Sequence, residues 1–379
     1  MDVINMISKV SGYPNAPIQN PDMKYQPGHQ MYCNGPHLHE YLKEMHEKVL
    51  SHYDTITVGE MPAVNDENEI LKVVGANEKE LNMIFIFDLV DIDNGATRMD
   101  VKSFTAADIR HIVSRWQNVM ISRNGWNSVF IENHDNPRSV SRYVDDSDRH
   151  RDLGAKLLCL MTTTLGGTQY VYQGEELGMR NVPLSWPVDE YKDVEAVNYW
   201  AKMQEKCGGD KAALAQAKEN MQRKSRDNAR TPVQWSGEAN AGFCDAGTTP
   251  WMRPNDDYTV VNAQAQREFA SEEQLSVLQF WRRGLANRKE NKDVFVYGDF
   301  ACLDEESREV FAYKRSSRAG DAFVVVLNFS GEEVQWPLPE GAKVERWVAG
   351  NYVKGAPEKA TSGTVVLRPW EGILGTASV

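Results

Sequence analysis

Apolar residues recur along the first 290 positions with two alternating spacings. Short apolar runs typical of buried strands occur at 55–59, 83–89, 128–132 and 169–172. Longer segments with apolar residues at helical spacing occur at 37–50, 106–118, 151–165 and 271–290. These strands and helices make four strand–helix units, and such connections require a parallel sheet.

Beyond residue 290 the spacing changes to an alternation in which every second residue is apolar. The runs lie at 294–300, 310–313, 322–328, 334–338, 343–348 and 364–367. This pattern predicts a small antiparallel β-sandwich. Residues 181–255 follow neither spacing: they are polar, rich in Trp, Asn and Pro, and contain one helical piece near 195–224.

A long insertion after a strand of an α/β domain usually builds the substrate pocket. We therefore predict a catalytic domain at 1–290, with a pocket-forming insertion at about 181–255. A C-terminal antiparallel β domain follows at 291–379.

Composition narrows the classes of function. The chain has 379 residues, 41% of them apolar, and a formal charge of −12. That charge argues against nucleic acid or an anionic membrane as a partner. No apolar run approaches the roughly 20 residues that span a bilayer. Five widely spaced cysteines without a CxxC motif indicate a reducing compartment, and we expect a cytoplasmic protein. The oligomeric state stays open.

Three short acidic motifs occur in order along the chain. The first motif begins at Asp2. The second is Thr-Val-Gly-Glu, which ends at Glu60, and the third is Glu-Asn-His-Asp-Asn-Pro-Arg at 132–138. The second and third follow apolar strand candidates, and carboxylates at the ends of parallel strands converge at one mouth of a β/α barrel. A charge in that place is costly unless it is paired or used.

Three convergent carboxylates suit the cleavage of a glycosidic bond. Retaining enzymes use a carboxylate nucleophile and a carboxylic acid, roughly 5 Å apart, and a third carboxylate can stabilise the developing positive charge. Asp2, Glu60 and Asp135 supply the right number and types. The histidines between residues 29 and 52 lack the spacing of a metal site, so we expect neither a metal nor a cofactor.

These motifs resemble the α-amylase superfamily, and within it the oligo-1,6-glucosidase and maltase branch of α-glucosidases. Further matches, at 173–179, 190–195 and 225–232, extend the resemblance over the whole chain. It implies an α/β fold: the C-terminal half of a TIM-type (β/α) barrel, strands five to eight, followed by the antiparallel domain. It also implies an oligosaccharide substrate.

The resemblance assigns roles to individual residues. It implies that Asp2 is the nucleophile, Glu60 the acid/base and Asp135 the transition-state stabiliser. His134 would donate hydrogen bonds to sugar hydroxyls, and substrate-binding arginines are expected at Arg226 and Arg230. Arg138 follows Asp135 closely, and we expect it to pair with Asp135 or with substrate. Val3 after the nucleophile resembles enzymes that accept α-1,6 links, although a simple packing role for Val3 stays open.

The chain also departs from the family. Relatives carry Gly-Phe-Arg and one more residue before the nucleophile, together with three earlier barrel strands and a lid domain. We therefore expect a member that lacks about the first third of the family's length and is weakly active or inactive alone, because four strand–helix units do not close a barrel. The alternatives are a non-catalytic remnant of such an enzyme and a sucrose isomerase or transglucosidase.

Overall fold

Residues 1–21, 24–339 and 342–378 are described by a computed structural model. They form two compact units. The first comprises Met1–Leu89 and Ile112–Val129, and the second comprises Val90–His111 and Phe130–Val379.

The first unit contains the predicted parallel strands. Its strands are β1 (Val58–Glu60), β2 (Met83–Phe85) and β3 (Ser128–Val129). Its helices are α1 (His29–Tyr32), α2 (Leu38–Lys48), α3 (Glu67–Val74) and most of α4 (Ala106–Ser122). Strand β1 pairs in parallel with β2, Val58 opposite Met83. A parallel bridge from Ile84 to Asn127 continues the same direction. The prediction of a parallel sheet is confirmed here.

The core of this unit lies between the strands and the apolar faces of α2, α3 and α4. Gly59 lies at its centre, because a Cβ there would come within 2.9 Å of both the Ile4 and Leu81 side chains. The glycine that precedes Glu60 therefore allows the segment around Ile4 to pack against β1.

The second unit holds most of the helices. They are α5 (Ser139–Tyr143), α6 (Arg151–Thr164), α7 (Val194–Cys207), α8 (Lys211–Lys224), α9 (Asp227–Arg230), α10 (Ala263–Glu268), α11 (Val277–Glu290) and α12 (Lys292–Phe295). Helix α6 is buried along most of its length. Arg288 on α11 donates hydrogen bonds to the carbonyl oxygens of Leu165, 2.6 Å away, and Phe295, 3.0 Å away. Helix α11 thereby holds the C-terminal end of α6.

The strands of this unit lie mainly in its C-terminal part. They are β4 (Thr168–Gln169), β5 (Asp299–Cys302), β6 (Val310–Ser316), β7 (Ala322–Asn328), β8 (Val334–Pro337), β9 (Val344–Gly350), β10 (Thr364–Leu367) and β11 (Gly372–Ala377). Five of them form one antiparallel sheet in the order β5-β6-β7-β11-β9, and β8 pairs with β10. Trp336 on β8 and Val365 on β10 share a core with the larger sheet. The predicted C-terminal antiparallel strands are confirmed.

Several predicted bounds were wrong. The helical piece near 195–224 is two helices, α7 and α8, separated by Gly208 and Gly209. Residues 294–300 do not form one strand: Val294 and Phe295 belong to α12, and β5 begins at Asp299. Helix α11 begins at residue 277 rather than 271, because Ser276 and Gln279 form a capping box there.

The strand predictions near 83–89, 128–132 and 169–172 were too long, since only three, two and one of their residues, respectively, lie in β2, β3 and β4. The described residues form no closed barrel. Among the described residues, no helix is both long enough and apolar enough to cross a membrane.

Candidate active site

The eight predicted site residues divide between the two units. Asp2, Val3 and Glu60 belong to the first unit. The second unit contains His134, Asp135, Arg138, Arg226 and Arg230. Each group has its own geometry.

In the first unit, Glu60 is the last residue of β1 and is half-buried. Its backbone N–H donates to the carbonyl oxygen of Met1 at 2.9 Å. The amino group of Met1 donates to the carbonyl oxygen of Val58 at 2.7 Å. This pair of bonds flanks Gly59 in the manner of a parallel ladder. It fixes the main chain on the N-terminal side of Asp2 beside the strand that carries Glu60.

The backbone at Asp2 is shaped by an unusual turn. The side chain of Asp2 is exposed, and Val3 has a left-handed conformation, with φ 32° and ψ 54°. A β-branched residue is rarely left-handed, because its Cβ approaches the carbonyl oxygen that follows. The strain is held in place by neighbouring contacts.

Asn5 supplies those contacts. It is fully buried, and its Nδ2 donates to the carbonyl oxygen of Pro62 at 2.8 Å and to Oδ1 of Asn34 at 3.1 Å. Because Pro62 follows Glu60 by two residues, Asn5 ties the Asp2 segment to the loop after β1. The motif that begins at Asp2 predicted no role for Asn5.

In the second unit, Asp135 lies on a tight turn made by Asn133. The Oδ1 of Asn133 accepts hydrogen bonds from the backbone N–H of Asp135 and from Nδ2 of Asn136, both at 2.9 Å. Such side-chain-to-backbone bonds stabilise turns without regular secondary structure. The turn leaves Asp135 33% exposed and the imidazole of His134 59% exposed.

Two arginines hold the carboxylate of Asp135. Its Oδ1 lies 2.6 Å from Nη2 of Arg230 and 3.3 Å from Nη1 of Arg226. Arg230 also donates from Nε to the carbonyl oxygen of His134, at 2.9 Å. The structure therefore brings His134, Asp135, Arg226 and Arg230 together.

These charges settle the ionisation of Asp135. Burial by itself would raise the pKa of Asp135, but His134, Arg226 and Arg230 together hold that pKa below its ordinary value. A carboxylate that stays ionised can stabilise positive charge and does not serve as a proton donor at neutral pH.

Comparison with known proteins identifies the family. The model of the α-amylase catalytic domain matches residues 1–298. The chain belongs to the α-amylase family. It is 39% identical over 376 residues to an α-glucosidase of Schizosaccharomyces pombe, an alignment that covers 99% of this chain and 63% of that protein.

Two further proteins are similar to this α-amylase-family chain over almost its whole length. An oligo-1,6-glucosidase of Parageobacillus thermoglucosidasius is 37% identical and aligns over 98% of this chain and 63% of its own length. The crystal structure of isomaltulose synthase from Erwinia rhapontici NX5 superposes with a TM-score of 0.88 at 32% identity, covering 99% of this chain and 64% of that one. The chain thus spans less than two thirds of the length of these relatives.

Within this α-amylase-family site, Arg138 has a different place from the one expected. It was predicted to pair with Asp135 or with substrate, but its side chain is fully buried and its Nη1 lies 2.6 Å from Oε1 of Glu132. It also donates to the carbonyl oxygens of Gln173, at 2.8 Å, and Asn228, at 3.1 Å. Arg138 therefore joins the Asp135 turn to the start of α9 from inside the protein.

Asp193 is the contact that sequence reasoning missed. Its buried Oδ2 lies 2.9 Å from Nη2 of Arg226 and 3.1 Å from Nη1 of Arg230, so it binds the terminal nitrogen of each arginine that does not contact Asp135. The motif at 190–195 contains this residue, but a buried acid on a polar loop leaves no periodic signal. Among the described residues, no group of three or more His, Cys, Asp or Glu side chains is arranged to hold a metal ion.

Proposed function

We propose that this chain is a retaining α-glucosidase that hydrolyses terminal α-1,6- or α-1,4-linked glucose from short oligosaccharides. We expect its turnover alone to be weak at most, because four strand–helix units do not close a barrel. The observation that carries the proposal is the partly exposed carboxylate of Asp135, which contacts both Arg226 and Arg230. A preorganised charge of this kind suits the oxocarbenium-like transition state of glycoside hydrolysis.

The proposed mechanism gives each carboxyl group one task. Asp2 attacks the anomeric carbon and forms a covalent glucosyl ester. Glu60 protonates the departing oxygen and then takes a proton from the water that hydrolyses the ester. Asp135 stabilises the positive charge that develops on the sugar ring. His134 and the arginines bind hydroxyl groups of the same glucose.

The glucosidase relatives support this assignment, since the S. pombe protein is named an α-glucosidase and two bacterial relatives are named oligo-1,6-glucosidases. We also propose that β1 to β4 are the fifth to eighth strands of a TIM-type (β/α) barrel. In this proposal, residues 1–290 form the catalytic domain, residues 181–255 its pocket insertion and residues 291–379 the β domain.

The test is hydrolysis of p-nitrophenyl α-glucoside by the purified 379-residue chain. We expect Asp135→Asn to lower kcat by about 10²–10³-fold, because the charge that stabilises the transition state is lost. Glu60→Gln and Asp2→Asn should each abolish turnover. Asp148→Asn is the matched control, since the side chain of Asp148 is 91% exposed.

Unchanged activity in Asp135→Asn would refute the role of Asp135. No turnover by the unsubstituted chain would refute hydrolysis by this chain and favour the alternative of a non-catalytic remnant. The anomer released first should be α, which NMR of the fresh product detects. Release of the β-anomer first would rule out retention.

A second candidate function is sucrose isomerisation. It is favoured by the similarity to isomaltulose synthase, for which a structure is described with its natural substrate sucrose. Incubation with sucrose separates the two functions: a hydrolase yields glucose and fructose, whereas an isomerase yields a new disaccharide.

A further inference from the structure

Two aromatic side chains of the insertion are exposed and touch each other. Trp251 is 59% exposed and Phe243 is 36% exposed. Their ring centroids lie 5.1 Å apart, with an edge-to-face angle of 87°. By contrast, Trp186 in the same insertion is almost completely buried. Single exposed apolar residues are common, but adjacent exposed rings form a patch that suits a ligand.

The indole of Trp251 is fixed in direction. Its Nε1–H donates to the carbonyl oxygen of Arg230 at 2.7 Å, although the ring remains open to solvent. The polar edge of the indole is therefore satisfied by protein. Its apolar surface is what a ligand meets.

The loop that carries Phe243 is held in an unfavourable backbone conformation. Asn240 and Ala241 have φ values of 52° and 57°, both left-handed. The side chain of Asn240 donates to the carbonyl oxygens of Asp245 and Thr248, each at 2.9 Å, and keeps the loop closed. Strained backbone of this kind collects at ligand-binding sites, where it fixes a side chain in place.

Arg230 connects this aromatic pair to Asp135. The guanidinium group of Arg230 binds the carboxylate of Asp135, while its main-chain carbonyl oxygen binds Trp251. The aromatic pair thus lies at the opposite end of Arg230 from Asp135. One residue thus links the proposed catalytic carboxylate to the exposed aromatic pair.

We propose that Trp251 and Phe243 form a stacking platform for the second sugar ring of an α-linked glucose disaccharide or oligosaccharide, the ring that leaves on cleavage. The position of that ring rests on the proposed function. The apolar C–H face of a pyranose packs on the exposed ring of Trp251, and the T-shaped contact with Phe243 supports the indole. The platform selects substrates with a sugar as leaving group.

The test uses the full chain with ¹⁵N-labelled indole groups, titrated with isomaltose and, separately, with methyl α-glucoside. The signal of Trp251, assigned from the Trp251→Phe variant, should shift with isomaltose and much less with methyl α-glucoside. Trp251→Ala should weaken isomaltose binding about tenfold and leave methyl α-glucoside binding unchanged. Trp235→Ala is the matched control, because Trp235 is 53% exposed.

A conservative variant separates stacking from support of Arg230. Trp251→Phe keeps an aromatic face but lacks the hydrogen bond to Arg230, so isomaltose binding should stay within about threefold of the original. Equal losses in Trp251→Phe and Trp251→Ala would overturn the proposal. Equal weakening of both ligands in Trp251→Ala would overturn it as well, since Trp251 would then act only through Arg230.

The outcome for the platform is distinct from the outcome for catalysis. A chain that hydrolyses p-nitrophenyl α-glucoside but shows no Trp251 shift with isomaltose keeps its proposed function and loses the platform. If the chain has no turnover but the Trp251 signal still shifts, also in Asp135→Asn, the platform proposal stands and the proposed hydrolase function is refuted. If the chain shows no Trp251 shift and no turnover, both proposals are refuted.

Discussion

The two groups of proposed catalytic carboxylates are held by different means. Asp135 is held by side-chain charges, since Arg226 and Arg230 contact one oxygen of its carboxylate. Asp2 is held through its backbone, by the bonds of Met1 to β1 and by the left-handed turn at Val3. The first arrangement fixes an oxygen atom and its ionisation. The second fixes a Cα position and leaves the exposed side chain to adopt its rotamer.

This difference predicts different weaknesses. A site held by charge should respond to the loss of a charged partner, to pH and to salt. A site held by the backbone should respond to buried hydrogen-bonding groups and to residues that change the preferred φ. The following four substitutions are ordered from the largest expected effect to the smallest.

The largest effect is expected at the buried pair behind the Asp135 turn. Arg138→Met leaves Glu132 buried without its cationic partner and should lower the free energy of unfolding by about 3–5 kcal/mol. Urea denaturation measures it. The double variant Glu132→Gln with Arg138→Met is the control and should recover part of the loss. A loss below about 1 kcal/mol would contradict the view that this pair supports the turn.

The corresponding substitution for the Asp2 segment, which is held through its backbone, is Asn5→Ala. It removes the donor to Pro62 and Asn34, and leaving these partly buried acceptors unpaired should cost about 1 kcal/mol. Thermal unfolding measures the change, with the exposed Asn77→Ala as control. The loss should be unaffected by salt, and a strong salt dependence would count against the distinction drawn between the two groups.

Arg230→Met tests the charge-held side by pH. The pKa of Asp135 is below its ordinary value, so the cluster stabilises the fold above that ordinary value, and the stabilisation is lost as the pH falls through the lowered pKa. Without Arg230 the pKa of Asp135 in the folded protein rises towards its ordinary value, so the loss of stability should be smaller and should be complete at a higher pH. Unfolding experiments between about pH 3 and 6 measure the difference. Superimposable pH profiles for the two proteins would refute the coupling.

The smallest effect is expected at Val3. Val3→Gly removes a left-handed strain of roughly 1–2 kcal/mol and adds a similar entropic cost of glycine, so stability should change by less than about 1 kcal/mol. Val10→Gly is the control, because Val10 is similarly exposed and is not among the residues with positive φ. It should lose stability. If both variants lose the same amount, the turn at Val3 is not strained.

Local signals in the sequence predicted the elements with strong periodicity. The predicted bounds were close to the observed ones for helices α2, α4 and α6 and for strands β6 and β7. Each of these elements has an apolar face that is long enough to give a periodic pattern in the sequence. Strand β11 was missed because Gly372 and Gly375 interrupt its alternation. Helix α12 was read as a strand because it spans only four residues, Lys292–Phe295, and ends in two large apolar ones.

The candidate site was predictable where its residues follow strands or belong to recognisable motifs. The partners of those residues were not. Asp193 and Arg226 meet across 33 positions of sequence, and the pairing of Arg138 with Glu132 rather than Asp135 depends on which way a turn faces. Ion pairs between distant loops leave no periodic trace, because they depend on the tertiary arrangement of the backbone.

The many attachments of Arg230 have a consequence for how this region can evolve. The side chain of Arg230 joins His134, Asp135 and Asp193, so a replacement at any of these positions alters the setting of the others. Substitution effects here should fail to add, with coupling on the order of 0.5–3 kcal/mol between pairs. Substitutions that are harmful one at a time are then tolerated only in combination. We therefore expect the residues of this cluster to be replaced together during evolution.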